Sequence, residues 1–247
     1  MSLQQIKRQW DALGNLDPLW AMTGTNKFNA WDLEEFLRTG DRQVDQLLDH
    51  VKKYNVPHGH DWVLDFGCGV GRMARGFRRH FSNYVGLDIS HSLIAKACNL
   101  YRSDRNSFFF VNTTPRLSLP PHHKFDLIHC WGVLHHVADQ EIVLQYIAEF
   151  VRRLAENGLL VFTVLHELKP IYRIQIRRRL YVMLNNLGIP DTTLYERLRL
   201  YPQQVHAIPR ARVTAKLAAP GARILDTTPE GSPKSSHQFW TYYVTGR

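Results

Sequence analysis

Val63-Leu64-Asp65-Phe66-Gly67-Cys68-Gly69-Val70-Gly71-Arg72 is the stretch from which the fold can be read. A short apolar run ends in a carboxylate, three glycines follow at alternate positions, and a basic segment comes next. This is the pattern of a buried strand, a tight turn and a helix start. Glycine allows positive φ and removes the side chain where a ligand must approach the backbone. The free N–H groups of a helix start add a polar cradle. The turn is therefore expected to bind a cofactor.

Downstream of this turn, strand and helix patterns alternate. Strand Trp62–Phe66 leads to a helix near Gly71–His80, then to strand Tyr84–Asp88. Ser90 caps a helix bearing Leu93, Ile94, Ala97, Leu100 and Tyr101. Strand Phe108–Val111 and strand Phe125–Cys130 follow, and then a helix around Gln140–Leu154 that Asn157-Gly158 is expected to end. Strand Leu159–Leu165 closes the series. Five strands alternating with helices predict a parallel sheet covered on both faces, with ligands at the carboxyl ends of the strands.

The flanks read differently. Residues 4–20 are helical in spacing up to Pro18, and 22–27 reads as a loop. Asp32 caps a short helix with Glu35 in capping-box position, Thr39-Gly40 is expected to break it, and Val44, Leu47, Leu48 and Val51 mark a further amphipathic helix. These helices pack on the core domain or roof its ligand, so 1–57 is read as a helical lid and 58–247 as the main domain. Within the latter, 166–212 breaks the rhythm as an insertion with a basic helix (Ile171, Ile174, Leu180, Tyr181, Leu184). A helix from Pro209 through Ala219 follows, then strands Arg223–Thr228 and Phe239–Thr245 around a loop containing Gly231-Ser232-Pro233. That pair is expected to form an antiparallel hairpin at the sheet edge.

Composition sets further bounds. The chain has 247 residues, 44% of them hydrophobic, enough for a sizeable core. No apolar run reaches the roughly 20 residues of a membrane span, and the N-terminus lacks a signal-peptide core. Cys68, Cys98 and Cys130 are scattered, which argues for a reducing, cytoplasmic setting and against a disulfide framework. No spacing of His, Cys or acids suggests a metal site. The net charge of +9 lies entirely at one end: residues 1–167 hold 18 basic and 18 acidic side chains, residues 168–247 hold 13 and 4. Such a region either presents a solvated face or attracts an anionic partner, be it nucleic acid, a phospholipid surface or an acidic metabolite.

The glycine spacing is not the G-x-G-x-x-G of a dinucleotide turn, and no P-loop is present. Asp88, ending the next strand, is placed to hold both ribose hydroxyls. Asp65 favours a cofactor with a cationic head, because a carboxylate beside a pyrophosphate is repulsive.

These stretches resemble the class I S-adenosylmethionine-dependent methyltransferases, small-molecule type. Asp65–Gly71 is similar to their first motif and Val85-Gly86-Leu87-Asp88-Ile89-Ser90 to the second strand with its ribose-binding acid. Phe125–Cys130 followed by Trp131-Gly132-Val133-Leu134-His135-His136-Val137 resembles the fourth strand and its exit, and Leu154–Val161 the turn and fifth strand. The resemblance implies a Rossmann-like α/β fold: a seven-strand sheet with an antiparallel last strand, helices on both faces, and an insertion between strands 5 and 6. It implies S-adenosylmethionine as cofactor. Gly67, Cys68, Gly69 and Gly71 would shape the turn, Asp65 order the methionine amino end, Asp88 hold the ribose and Ile89 pack on adenine. Asn112 or Thr113 would meet the adenine amino group, and Cys130 and Trp131 would line the methionine portion. Phe36–Gly40 resembles a lid element.

Methyl transfer to a hydroxyl needs its proton removed, and His suits that task near neutral pH. His135 is the candidate base, with His136 structural and His166 or Glu167 placed to orient it; His206 could also enter the pocket. Tyr172, Tyr181, Tyr195 and Tyr201 either form an aromatic acceptor pocket or bury against the domain; Arg173, Arg177, Arg178 and Arg179 either meet an acidic acceptor or face water. The Asn/Asp-Pro-Pro-Tyr/Phe signature for exocyclic base amines is absent. The reading is methylation of a small-molecule acceptor, most simply at oxygen. The alternatives are an RNA methyltransferase recruited by the basic C-terminal third and a non-catalytic cofactor-binding subunit.

Overall fold

The computed structural model describes residues 2–23, 28–169, 172, 174–218, 221–231 and 237–246. Expectations placed on Ile171, Arg173 and Ala219, and on much of the 22–27 and 231–233 loops, lie outside the described residues. The strands are β1 (Trp62–Phe66), β2 (Asn83–Asp88), β3 (Ser107–Val111), β4 (Phe125–Cys130), β5 (Leu154–Leu168), β6 (Arg223–Glu230) and β7 (His237–Thr245). They form one seven-stranded sheet in the order β3-β2-β1-β4-β5-β7-β6. The first five are mutually parallel, and β7 runs antiparallel to both β5 and β6. The expected hairpin is present, but β7 inserts between β5 and β6, which leaves β6 at the edge.

Side chains of each strand alternate between two cores. Leu64 and Phe66 of β1, with Ile128 and Cys130 of β4, face α6 (Gln140–Arg153) and α9 (Arg210–Ala218). Val63, with Leu127, packs on the opposite face against α3 (Leu33–Val51) and α4 (Ala74–Arg78). Both layers are built from buried aliphatic and aromatic residues, the arrangement that a mostly parallel sheet requires.

Two local expectations are corrected. Thr39-Gly40 does not break a helix: α3 is continuous, with Asp32 accepting from Glu35 N (2.9 Å) at its start. Gly40 is there for close packing, because a Cβ would lie 2.0 Å from the Arg72 carbonyl oxygen. Nor does Asn157-Gly158 end α6, which stops at Arg153. The chain enters β5 at once, and Asn157 (φ 54°) sits in a bulge where Phe125 pairs with Leu154 and Leu127 with Leu159.

Above the carboxyl ends of the strands lie α1 (Leu3–Leu16) and α2 (Pro18–Thr23). Ser2 and Gln5 form a capping box on α1, and Asp17 accepts from Trp20 N (3.0 Å) at the start of α2. α1 is fastened to the start of α5 (His91–Leu100), where Asp11 Oδ1 accepts from Ser90 Oγ (2.8 Å) and Ser92 N (3.2 Å). The insertion supplies α7 (Ile176–Asn186) and α8 (Asp191–Glu196). It packs on α1 and α2 rather than on the sheet, through Leu13, Trp20, Tyr181, Leu194, Tyr195 and Leu200.

Candidate active site

A cavity of about 440 Å³ opens at the carboxyl ends of β1, β2 and β4. Its floor is the glycine turn. Gly67, Gly69 and Gly71 all have positive φ (81°, 57° and 80°), and a Cβ on Gly67 would lie 2.1 Å from Val133 Cγ2. Only glycine fits this path.

Asp88 is buried beside the turn. Its carboxylate accepts from Gly69 N (2.9 Å) and Ser90 N (2.8 Å), which fixes it with lone pairs left over. Burial pushes its pKa up to about 6, against the lowering effect of those N–H groups. Asp65 also lines the cavity, but both its oxygens are engaged: Oδ1 accepts from His129 Nδ1 (2.8 Å) and Oδ2 from the Tyr84 hydroxyl (2.9 Å). The register explains the pair, since Asp65 and His129 are directly opposed on β1 and β4. His129 Nε2 is buried with no partner among the described residues, and its ring lies parallel to Trp131.

Of the residues expected to meet the cofactor, Asp65, Gly67, Cys68, Asp88, Ile89, Asn112 and Trp131 line the cavity. Gly69 and Gly71 shape the turn without lining it, and Thr113 lies outside. Asn112 is spent within its own loop: its Oδ1 accepts from Ser118 N (2.7 Å) and its Nδ2 donates to the Thr114 carbonyl (2.9 Å). Cys130 is fully buried in the core facing α6, away from the cavity, and burial holds its thiol well above the usual range.

His135 and His136 fall in a single 3₁₀ turn (Leu134–His136) after β4, and both line the cavity. His136 Nδ1 donates to the Gln204 carbonyl (2.9 Å), and Trp10 of α1 meets its ring edge-on at 5.2 Å. Burial drives its pKa down to about 4. His135 lies tilted against it, with ring centroids 4.1 Å apart, and meets Phe239 edge-on, and its Nδ1 is buried without a partner among the described residues. Burial, with His136, His237 and His206 nearby, holds its pKa well below the usual value.

Neither expected orienting group reaches this pair. Glu167 is exposed, because β5 shifts register against β7 between Leu165 and Glu167. His166 spends both ring nitrogens, on the Ile208 carbonyl and the Tyr242 hydroxyl (2.7 Å each). His206 contributes its backbone N–H to the His135 carbonyl (2.7 Å) and does not line the cavity.

Several lining residues had no signature of their own in the sequence. His129 becomes visible only once β1 and β4 are known to be neighbours. Arg72, the last residue of the decisive stretch, turns into the cavity and donates to Gln43 Oε1 (2.6 Å) and Thr39 Oγ1 (3.3 Å) of α3. Trp10, Trp20 and Met22 close the cavity from above with Tyr201 of the insertion.

The geometry has its counterpart among known proteins. A family profile described as Methyltransferase domain matches residues 36–193, and the chain belongs to that family. Among curated relatives, the Ubiquinone biosynthesis O-methyltransferase of Coxiella burnetii (strain Dugway 5J108-111) is 27% identical over 166 residues, which cover 67% of this chain and 65% of the relative. The protein of the same name from Bradyrhizobium diazoefficiens is 28% identical over 157 residues, 64% of this chain and 56% of the relative. The chain thus spans less than two thirds of each. Two solved structures share the fold. The magnesium protoporphyrin IX methyltransferase from Synechocystis PCC 6803 with bound SAH has a TM-score of 0.62 at 16% identity, covering 99% of both chains. An S-adenosylmethionine-dependent methyltransferase from Clostridium acetobutylicum ATCC 824 has a TM-score of 0.59 at 16% identity, covering 82% of this chain and 90% of its own.

Proposed function

We propose that this chain binds S-adenosylmethionine and catalyses methyl transfer to a hydroxyl of a small, largely apolar acceptor. One observation carries the reading: a single cavity joins the glycine turn and Asp88 to a roof of Trp10, Trp20 and Tyr201, with His136 at the junction. The fixed Asp88 carboxylate fits a pair of ribose hydroxyls. The buried Asp65–His129 pair and the Arg72 guanidinium offer opposite charges for the two ends of an amino-acid moiety. When bound, the cofactor supplies an electrophilic methyl group on a sulfonium. The names of the curated relatives support oxygen as the atom methylated.

His136, rather than His135, is the base in this reading. A base needs its second nitrogen held, and the Gln204 carbonyl holds His136 Nδ1 as the N–H, which leaves Nε2 as the lone-pair nitrogen. Its low pKa keeps the ring neutral at pH 7. A weak base suffices, because the departing proton sits on an oxygen whose acidity rises steeply as it forms its new bond. The roof helices α1 and α2, with Tyr201 and Gln203 of the insertion, line the cavity on the acceptor side and select the acceptor, whereas α3, the rest of the expected lid segment 1–57, packs on the sheet.

His136→Gln is expected to lower kcat by about 10²–10⁴-fold with affinity for S-adenosylhomocysteine unchanged. The same loss in His135→Gln, with His136→Gln near wild type, would return the role to His135. Failure of calorimetry to detect S-adenosylhomocysteine binding by the wild-type protein would remove the reading altogether.

A further inference from the structure

From the outer face of the insertion we infer that α7 is a membrane-surface helix, lying in the interface of an anionic phospholipid bilayer without crossing it. Eleven large hydrophobic side chains are exposed among the described residues, and eight of them fall between residues 172 and 198. Four recur on one side of α7 and its C-terminal cap at helical spacing: Ile176 (59% exposed), Leu180 (39%), Met183 (52%) and Leu187 (73%). A separate face of the same helix packs inward, with Tyr181 buried against Leu194 and Tyr195 and Leu184 partly buried beside them. The stripe is thus an addition to the face that folding needs. Scattered apolar side chains on a surface need no explanation, but an ordered stripe does.

Charge identifies what covers it. Arg177 and Arg179 flank the stripe and are exposed. Across residues 172–199 there are six arginines against two acids, and one of those acids, Asp191, already accepts from Tyr181 and Asn185. Aliphatic residues on one side with cations beside them match the boundary between acyl chains and anionic headgroups. A second copy of the chain docking through this face would bring arginines against arginines. An RNA strand would meet an aliphatic stripe on which bases do not stack. No helix among the described residues is long and apolar enough to cross a membrane, which is consistent with a helix lying flat.

The helix is connected to the cavity. Tyr181 stacks on Tyr195 (5.9 Å), Tyr195 on Tyr201 (5.7 Å), and Tyr201 meets Trp20 (5.1 Å). The last two residues line the cavity. Seating α7 on a bilayer therefore puts the cavity roof next to the lipid phase, where an apolar acceptor accumulates.

Sedimentation of the full chain with phosphatidylglycerol-containing vesicles tests this. Binding is expected at low salt, to weaken at high salt, and to be slight with phosphatidylcholine alone. Leu180→Ser/Met183→Ser/Leu187→Ser should bind about tenfold more weakly or worse, with unchanged thermal melting because all three are exposed. Arg177→Gln/Arg179→Gln should lose the preference for anionic vesicles. In a second measurement that requires no loss of function, the added indole emission of Leu187→Trp should shift to the blue on addition of the anionic vesicles. Absence of sedimentation at low salt, undiminished binding by the triple-serine variant, an unshifted Leu187→Trp spectrum, or salt-sensitive capture of a single-stranded RNA in place of vesicles would overturn it.

Discussion

Asp65 and Asp88 end adjacent strands and are both buried, but they are prepared for different tasks. Asp65 has spent each oxygen on a neighbour, whereas Asp88 is held by two backbone N–H groups and keeps acceptor capacity. Hydroxyl donors need the carboxylate form of Asp88, and its pKa lies near 6 in the free protein. Affinity for S-adenosylhomocysteine, and kcat/KM with it, should therefore fall as pH drops through about 6. Under saturation, kcat should stay flat there, because His136 remains neutral down to about pH 4. Calorimetry and a kcat profile across this range check both; an acid limb in kcat near 6.5 would contradict the assignment of His136. Asp88→Ala should weaken binding by roughly 10–100-fold, the worth of hydrogen bonds to a charged acceptor. Asp65, Asp88 and the glycines were legible in the sequence because each has a fixed place relative to a strand end. His129 was not, because its meaning depends on which strand lies beside β1. The hold on His136 that underlies its proposed role was not either, because it comes from a carbonyl 68 residues away.

At the scale of elements, the continuity of α3 matters most. The sequence pattern suggested two helices because Gly40 is a poor helix former. Its missing side chain serves instead to let α3 lie on the Arg72 carbonyl, while Thr39 and Gln43 of the same helix hold the Arg72 guanidinium. Gly40→Ala should therefore cost about 1–3 kcal/mol of stability, the range for overpacking, and weaken S-adenosylhomocysteine binding through the displaced turn. Denaturant unfolding and calorimetry on the same variant would show the two losses together; a fully stable, fully binding variant would show that the contact gives way. Most strand positions were readable to within a residue or two, since alternation and glycine punctuation agree there, but β5 (Leu154–Leu168) starts well before and ends beyond the expected Leu159–Leu165. The bulge at Asn157 was not, because Asn-Gly signals a helix end and a strand irregularity equally well.

For the whole molecule, pH reveals how much of the interior is titratable. Burial depresses the pKa of His135 and His136, and those of His166 and His206 are lowered as well. The unfolded chain binds their protons from about pH 6.5 downwards, and the folded chain takes them up only at lower pH. Their contribution is present above that pH and is lost as pH falls towards 4. Asp88 acts the other way, since its raised pKa adds stability as pH falls below about 6. Several imidazoles outweigh one carboxylate, so the melting temperature should fall between pH 7 and 4.5, and His136→Gln should flatten the slope. A melting temperature that rises on acidification would refute this balance.

The position of β7 bears on how the protein is made. A ribosome delivers β6 before β7, but β6 has no strand partner until β7 lies between it and β5. The first five strands can pair among themselves as they emerge, whereas β6 must wait as an unpaired ribbon. During that interval the outer flank of β5 is an open template of N–H and C=O groups, the kind of edge on which nascent chains mispair. Closure is then a single event, in which one segment zips along two others at once. The late step in biogenesis is thus expected to be the insertion of this wedge, and chaperone dependence should be greatest just before residues 237–245 clear the exit tunnel.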